Sequence, residues 1–257
     1  MTTAYVDVIA RHREALLERP ALRAEYARWA KKIRAALAPD DDDDDGAPRS
    51  IELGCGAGAL TEHLPELWPT DVDEQPFARQ VVDACAMPFA DAALVNIVAI
   101  DTLHHLPSAA RFFDEVARTL RPGGRLVLVE PYLSAFGLFV YKALHHEPAR
   151  VLVDPFAPVE SVDPDAGLPC NQALASLIFG PWRRAFHARW PMLQVVSVEK
   201  CDALLYLATG GYSQRALVGA RTIERLAAVE DAAVSRLAPL VALRMIAVVE
   251  RRRTGAR

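Results

Sequence analysis

Cysteine is scarce in this chain, and what there is lies scattered. Cys55, Cys85, Cys170 and Cys201 are the only four in 257 residues, and no two stand at a CxxC spacing. That pattern fits reduced thiols in a cytosolic protein better than a disulfide framework or a zinc site. An excess of basic charge is also missing. The 29 Lys and Arg are outnumbered by 33 Asp and Glu, for a net charge of −4. Neutralising nucleic-acid phosphates takes a basic face, so no nucleic-acid partner is expected. The Arg251-Arg252-Arg253 run reads as a solvated terminus. No basic segment followed by an apolar run opens the sequence, so no signal peptide is expected. The longest apolar stretch, about 133–144, is too short to span a bilayer and is broken by Ser134, Gly137 and Lys142. A cytoplasmic protein without membrane insertion is the expectation. No repeats occur, and nothing indicates an oligomeric state.

The hydrophobic fraction of 52% suffices for one large core. Residues 1–38 form an N-terminal helical segment by their spacing, with Leu22, Tyr26, Trp29, Ile33 and Leu37 on one face and Pro20 suited to a helix start. Residues 39–47 hold six consecutive aspartates, 40–45, which repel one another and read as a solvated linker. From 48 to 257 strand and helix signals alternate, which predicts an α/β domain with a mostly parallel sheet covered on both faces. Expected strands cover 50–53, 68–72, 81–82, 92–100, 125–129, 193–198 and 244–249. Expected helices cover 59–66 (cut by Pro65), 108–120 (stopped by Pro122-Gly123-Gly124) and 222–237. Residues 132–190 are proline-rich, aromatic and irregular. An insertion after a central strand usually lies over the carboxyl ends of the strands, where ligands bind.

The most informative segment is Ile51-Glu52-Leu53-Gly54-Cys55-Gly56-Ala57-Gly58, a buried strand breaking into a glycine-rich turn. Glycines there permit positive φ and close approach of a ligand to the main chain. The pattern also satisfies GxGxxA, so the glycines alone leave a dinucleotide open. Glu52 favours a ligand with an amine over one with a pyrophosphate, although it also fits as a cap of the turn. Asp71 lies 17 residues after Gly54, where an acidic residue meets ribose hydroxyls in both nucleotide types. Asp83-Ala84 leads into Met87-Pro88-Phe89, Leu103-His104-His105-Leu106 follows the fourth strand, and Leu120-Arg121-Pro122-Gly123-Gly124 leads into the fifth.

Over about 49–130 these five motifs resemble the class I S-adenosylmethionine-dependent methyltransferases, specifically the group with E/D-x-G-x-G-x-G, D-a-x-x-L-P-F, L-H-H-L and L-x-P-G-G elements. The resemblance implies a doubly wound, Rossmann-like, seven-stranded sheet of order 3-2-1-4-5-7-6 with a reversed final hairpin. It implies S-adenosylmethionine as cofactor, held by Glu52 at its amino group, by the turn Gly54, Cys55, Gly56 and Gly58, by Asp71 at the ribose, by Asp83 and Ala84 at the adenine, and by Asp101 beside the methionine moiety. Asp73 competes with Asp71 for the ribose, and Asp83 also suits an ordinary turn. One departure is Val95, where the group often has Asp just before the fourth strand.

The acceptor side is less defined. His104 and His105 would lie near it, and either serves to pack the loop or acts in catalysis. His145-His146-Glu147-Pro148, Asn171-Gln172-Ala173 and residues 206–212 resemble elements of uncharacterised bacterial members of the group. His105 and His146 are the candidate bases for a hydroxyl acceptor, which needs a pKa near the working pH. No metal site is expected, since the histidine pairs have no supporting cysteine or carboxylate spacing. Residues 132–141, with Trp182 and Phe186, suit a small-molecule or lipid- or glycan-linked acceptor with an apolar part, or simply the core. O-, N- and C-methylation stay open. The competing readings are a methyltransferase-like partner protein without turnover and a nicotinamide-dependent oxidoreductase.

Overall fold

The structure, a computed structural model, describes residues 3–40, 48–143 and 145–253. Helices α1 (Thr3–Glu18) and α2 (Pro20–Ala36) precede strands β1 (Ser50–Leu53), β2 (Trp68–Asp71), β3 (Gln80–Val81) and β4 (Leu94–Ile100). A 3-10 turn, Leu103–His105, leads to α3 (Ala109–Thr119) and β5 (Leu120–Pro131). Then follow α4 (Ala135–Ala143), α5 (Leu174–Ile178), α6 (Arg183–Arg189), β6 (Leu193–Cys201), α7 (Leu204–Ala208), α8 (Ala220–Val241) and β7 (Arg244–Arg251). The aspartates 41–45 of the expected linker lie outside the described residues. No helix among the described residues is long and apolar enough to cross a membrane.

The seven strands form one sheet of order β3-β2-β1-β4-β5-β7-β6, as the resemblance implied. β1 to β5 pair in parallel, while β7 runs antiparallel to both β5 and β6. β4 is buried at all seven positions, as a central strand covered on both faces must be. Val95 is its second residue, inside the strand rather than before it.

Each face carries its own helical layer. On one, Leu22, Tyr26, Trp29 and Ile33 of α2 pack with Leu60, Leu64, Val98 and Val127. The N-terminal segment is therefore part of the sheet's cover. Its place is fixed by Trp29, whose indole donates to Asp202 at 2.7 Å, and by Arg28, paired with Glu25 and Asp231. On the other face Phe113 of α3 meets Phe186 and Trp190, with ring centroids 4.9 and 5.4 Å away. Phe186 is thus core and does not line an acceptor cavity.

Two local expectations are corrected. Residues 59–66 form successive turns rather than a helix. Gly58 sits at φ +72° and Pro65 supplies no N–H, so the hydrogen bonds stay those of short turns, His63 N and Leu64 N to Leu60 O and Leu67 N to Leu64 O. Helix α3 ends at Thr119, three residues before Pro122, because Leu120 is already extended and pairs with Leu94 of β4. Its start follows expectation, with the Ser108 hydroxyl accepting from Arg111 N at 3.3 Å.

Phe113 is fully buried where α3 meets the end of the insertion. Phe113→Ala is expected to lower unfolding free energy by about 4 kcal/mol, read as a shift in urea midpoint at unchanged slope. A loss under about 1 kcal/mol would mean that this layer is not packed as described.

Candidate functional site

The glycine turn closes at the carboxyl end of β1. Gly54 has φ +69°, and a Cβ there would lie 2.5 Å from Thr102 Oγ1; at Gly58, φ +72°, it would lie 2.7 Å from the Phe77 ring. Conformation and contact both demand glycine. Gly56 N–H donates to Asp71 Oδ2 at 2.8 Å, and Cys55 N–H donates to Thr70 O at 2.9 Å. Asp71, at the end of β2, is 1% exposed and also accepts from the Tyr5 hydroxyl of α1 at 3.0 Å. Glu52, Gly54, Cys55, Gly56, Gly58 and Asp71 thus meet at the carboxyl ends of β1 and β2, with Tyr5 of α1 against Asp71.

Glu52 is 4% exposed, and no cation among the described residues pairs with it. Burial, and secondarily the charge of Asp71, push its pKa up to about 8. Burial raises the Asp71 carboxyl as well, against the hydrogen bonds from Gly56 and Tyr5 that lower it. Farther along the sheet edge, Asp83 is exposed and its Oδ1 accepts from Cys85 N at 2.7 Å, while Ala84 is buried. The turn role is therefore real for Asp83. Its segment is held to α3 by Met87 N–H donating to Glu115 at 2.6 Å and by Arg118 donating to the Met87 and Phe89 carbonyls.

After β4 the chain enters a strained loop. Asp101 has φ +52° and pairs with Arg244 at 2.7 Å. Arg244 is buried, its guanidinium 4.8 Å from the Trp29 ring centre and 5.2 Å from that of Tyr206. Glu130, fully buried at the end of β5, organises the residues that follow. Its Oε1 accepts from Thr102 N at 2.9 Å and Leu103 N at 2.7 Å, and its Oε2 accepts from His104 Nδ1 at 2.6 Å. Burial pulls the His104 pKa down, but Glu130 and then Glu147 outweigh it and carry it up to about 10.

The insertion does lie over the carboxyl ends of the strands. Asn171 N–H donates to His104 O at 2.8 Å, and Val159 N–H donates to Pro107 O at 2.9 Å. It delivers Glu147, with Oε2 3.5 Å from His104 Nε2 and 3.9 Å from His105 Nε2. Burial raises the Glu147 carboxyl, but His104 and His105 hold it far below the usual range. Burial and neighbouring His104 depress His105. His146 is exposed and turned to Asp165 at 3.1 Å, so of that pair's neighbourhood it is Glu147 that reaches His105. From α1, His12 stacks on Tyr212 at 4.0 Å, and burial lowers its pKa to about 4.

Tyr5, His12, Glu130, Cys170 and Arg244 were not among the expected site residues, and Glu147 was noted only as part of the His145–Pro148 element. Glu130 alone carried a usable signal, an acid at the carboxyl end of an apolar strand. The others reach the crevice from distant elements, which periodicity cannot reveal.

Residues 51–128 match the methyltransferase domain family. The observed strand order is that of the class I, Rossmann-like methyltransferase fold. It is similar to 27-O-demethylrifamycin SV methyltransferase of Amycolatopsis mediterranei, 38% identical over 102 residues that cover 31% of this chain and 37% of that protein. Similarity to the chloroplastic tocopherol O-methyltransferase of Arabidopsis thaliana is 25% over 127 residues, covering 41% and 36%. O-methyltransferase rstn1 of Aspergillus nomiae is 29% identical over 108 residues, covering 34% and 48%. The chain thus spans between about a third and a half of the length of the curated relatives it matches. Among solved structures, the YcgJ protein of Bacillus subtilis aligns over 87% of this chain and 97% of its own at a TM-score of 0.47 and 17% identity.

Two measurements check the electrostatics. Glu130→Gln replaces an acceptor for three donors by one with a single carbonyl, and is expected to cost about 3 kcal/mol in chemical unfolding; a cost below about 0.5 kcal/mol would contradict its organising role. The neutral form of Glu52 is favoured by folding, so its contribution is complete below pH 4.5 and lost as pH rises to about 8. Glu52→Gln should therefore leave stability unchanged near pH 4 and raise it by about 4 kcal/mol near pH 8. A gap that is flat with pH would refute the buried, unpaired carboxyl.

Proposed function

We propose that this protein transfers the methyl group of S-adenosylmethionine to a small-molecule acceptor with an apolar part. The observation that carries the reading is Glu52, a buried carboxyl without a cationic partner among the described residues, set beside three positive-φ glycines and Asp71. A pyrophosphate would be repelled there; an ammonium group would supply the missing charge. The residues fit the cofactor. Glu52 takes its amino group, the backbone of Gly54, Cys55, Gly56 and Gly58 lines its methionine and ribose part, and Asp71 accepts from the ribose hydroxyls. Asp83 and the Ala84 amide meet the adenine, and Asp101, held by Arg244, lies beside the methionine moiety.

When bound, the cofactor supplies a methyl group already activated on a sulfonium. What this chain contributes is binding, alignment and exclusion of water. Helix α1 serves the last, since Tyr5 and Ile9 stand directly over Asp71 and Gly56. The names of two relatives, O-methyltransferases both, support a hydroxyl acceptor. The partly buried Leu133 and Phe136 of the insertion suit the apolar part of that acceptor.

Titration calorimetry with S-adenosylmethionine, S-adenosylhomocysteine and NAD tests the reading. Both sulfur ligands are expected to bind and NAD is not. Only ionised Glu52 meets the ammonium, so binding at pH 7 should release a proton, seen as a dependence of the heat on buffer ionisation. Glu52→Gln should remove that dependence and weaken affinity by about tenfold or more. Binding of NAD but of neither sulfur ligand would overturn the proposal, as would unchanged affinity in Glu52→Gln.

A further inference from the structure

One cluster beside the crevice has no part in cofactor binding. His104 and His105, Glu147 and Cys170 each present one donor atom, and the four lie within 4.8 Å of one another. Two come from the turn after β4 and two from the insertion. The Glu147 Oε2 is 3.5 Å from His104 Nε2, 3.9 Å from His105 Nε2 and 3.4 Å from Cys170 Sγ. Charge-assisted imidazole–carboxylate hydrogen bonds run at about 2.7–2.9 Å, so the two histidine contacts are too long to be such bonds. The Glu147 separations from His104 and Cys170 match the edges of a tetrahedron, and the four atoms, all within 4.8 Å, have to draw in by about 1 Å at most to form one. With zinc bonds of about 2.0–2.2 Å to nitrogen and oxygen and about 2.3 Å to sulfur, ligand atoms stand about 3.3–3.6 Å apart.

We propose that His104, His105, Glu147 and Cys170 bind one zinc ion that ties the insertion to the turn after β4.

Three further observations agree. His104 gives its Nδ1 to Glu130 at 2.6 Å, which leaves Nε2 facing the cluster. A carboxylate on the far nitrogen of a ligating imidazole is the usual support of zinc histidines, fixing tautomer and ring orientation. Secondly, Gln172, 3% exposed, donates its Nε2 to Glu147 Oε2 and lies 3.4 Å from His104 Nε2, as a supporting hydrogen bond to a ligating carboxylate would. Thirdly, thiolate, carboxylate and two neutral imidazoles carry together the two negative charges that Zn²⁺ neutralises, and the mixed nitrogen, oxygen and sulfur set suits zinc better than magnesium or calcium. Four protein ligands make a closed site, so the ion is structural: it would hold the acceptor-side insertion, and make His105 a ligand rather than a base.

The test measures metal directly, with no need for methyl transfer. Protein purified from zinc-supplemented cells and dialysed without chelator should contain about one zinc per chain, with the thermal midpoint falling on chelation and recovering with zinc. Cobalt(II) exchanged into the site should show the intense visible bands of tetrahedral coordination and a sulfur-to-cobalt charge-transfer band. Cys170→Ser should lose the charge-transfer band, and His105→Gln should weaken zinc binding about tenfold or more. Both keep side-chain size, and near-native circular dichroism would show that they fold. Absence of zinc in the parent protein with no thermal response to added zinc would overturn the proposal. So would full zinc content together with an unaltered charge-transfer band in Cys170→Ser.

Discussion

A single buried carboxylate holds the working end of this molecule together. Glu130 leaves the end of β5 with no exposure to solvent, and its two oxygens receive Thr102 N, Leu103 N and His104 Nδ1. A buried carboxylate is tolerated only where donors of this kind surround it. The loop after β4 has to pass where it does in order to supply them. Thr102, thus placed, approaches so near to Gly54 that no Cβ fits between them. The glycine turn and the histidine pair are therefore set by one interaction between neighbouring strands.

The same economy recurs around Arg244. Its guanidinium is buried at the start of β7, ion-paired to Asp101 and flanked by Trp29 and Tyr206. Three elements far apart in sequence thus converge on one cation: α2, the loop after β4 and the C-terminal hairpin. Asp101 keeps a left-handed backbone against its steric cost because this partner and the sheet over-determine its position. The N-terminal helices belong to this arrangement rather than decorating it. α2 occupies the face of the sheet next to residues 59–66, where the chain forms turns instead of a helix, and α1 reaches on to Asp71.

Much of the architecture could be read from the residues. The alternation of apolar strands with an amphipathic α3 specified the parallel part of the sheet, since β4 and β5 are apolar on both faces and α3 on one. Positions next to the glycine turn were legible for a different reason: Glu52, Gly54, Gly58 and Asp71 are tied to strand ends, and their spacing follows from strand and turn lengths. The short helix expected over 59–66 failed because apolar spacing there is real, yet Gly58 and Pro65 leave no run of donors to sustain it. The aromaticity of Phe186 suited either an acceptor cavity or the core, and packing against Phe113 and Trp190 placed it in the core.

By itself, then, the sequence determined the sheet, its edge turn and the residues whose place is local to a strand end. Backbone hydrogen bonding and period-two or period-3.6 burial act over a few residues, and they leave that mark on the chain. Only the tertiary structure decided which side chains meet across the crevice. Tyr5 on Asp71, Arg244 on Asp101, and Glu147 and Cys170 beside His104 and His105 are brought together by the docking of α1, the final hairpin and the insertion onto the carboxyl ends of the strands. Those contacts have no fixed spacing in sequence, because loop closure costs grow only slowly with length and almost any separation can be bridged.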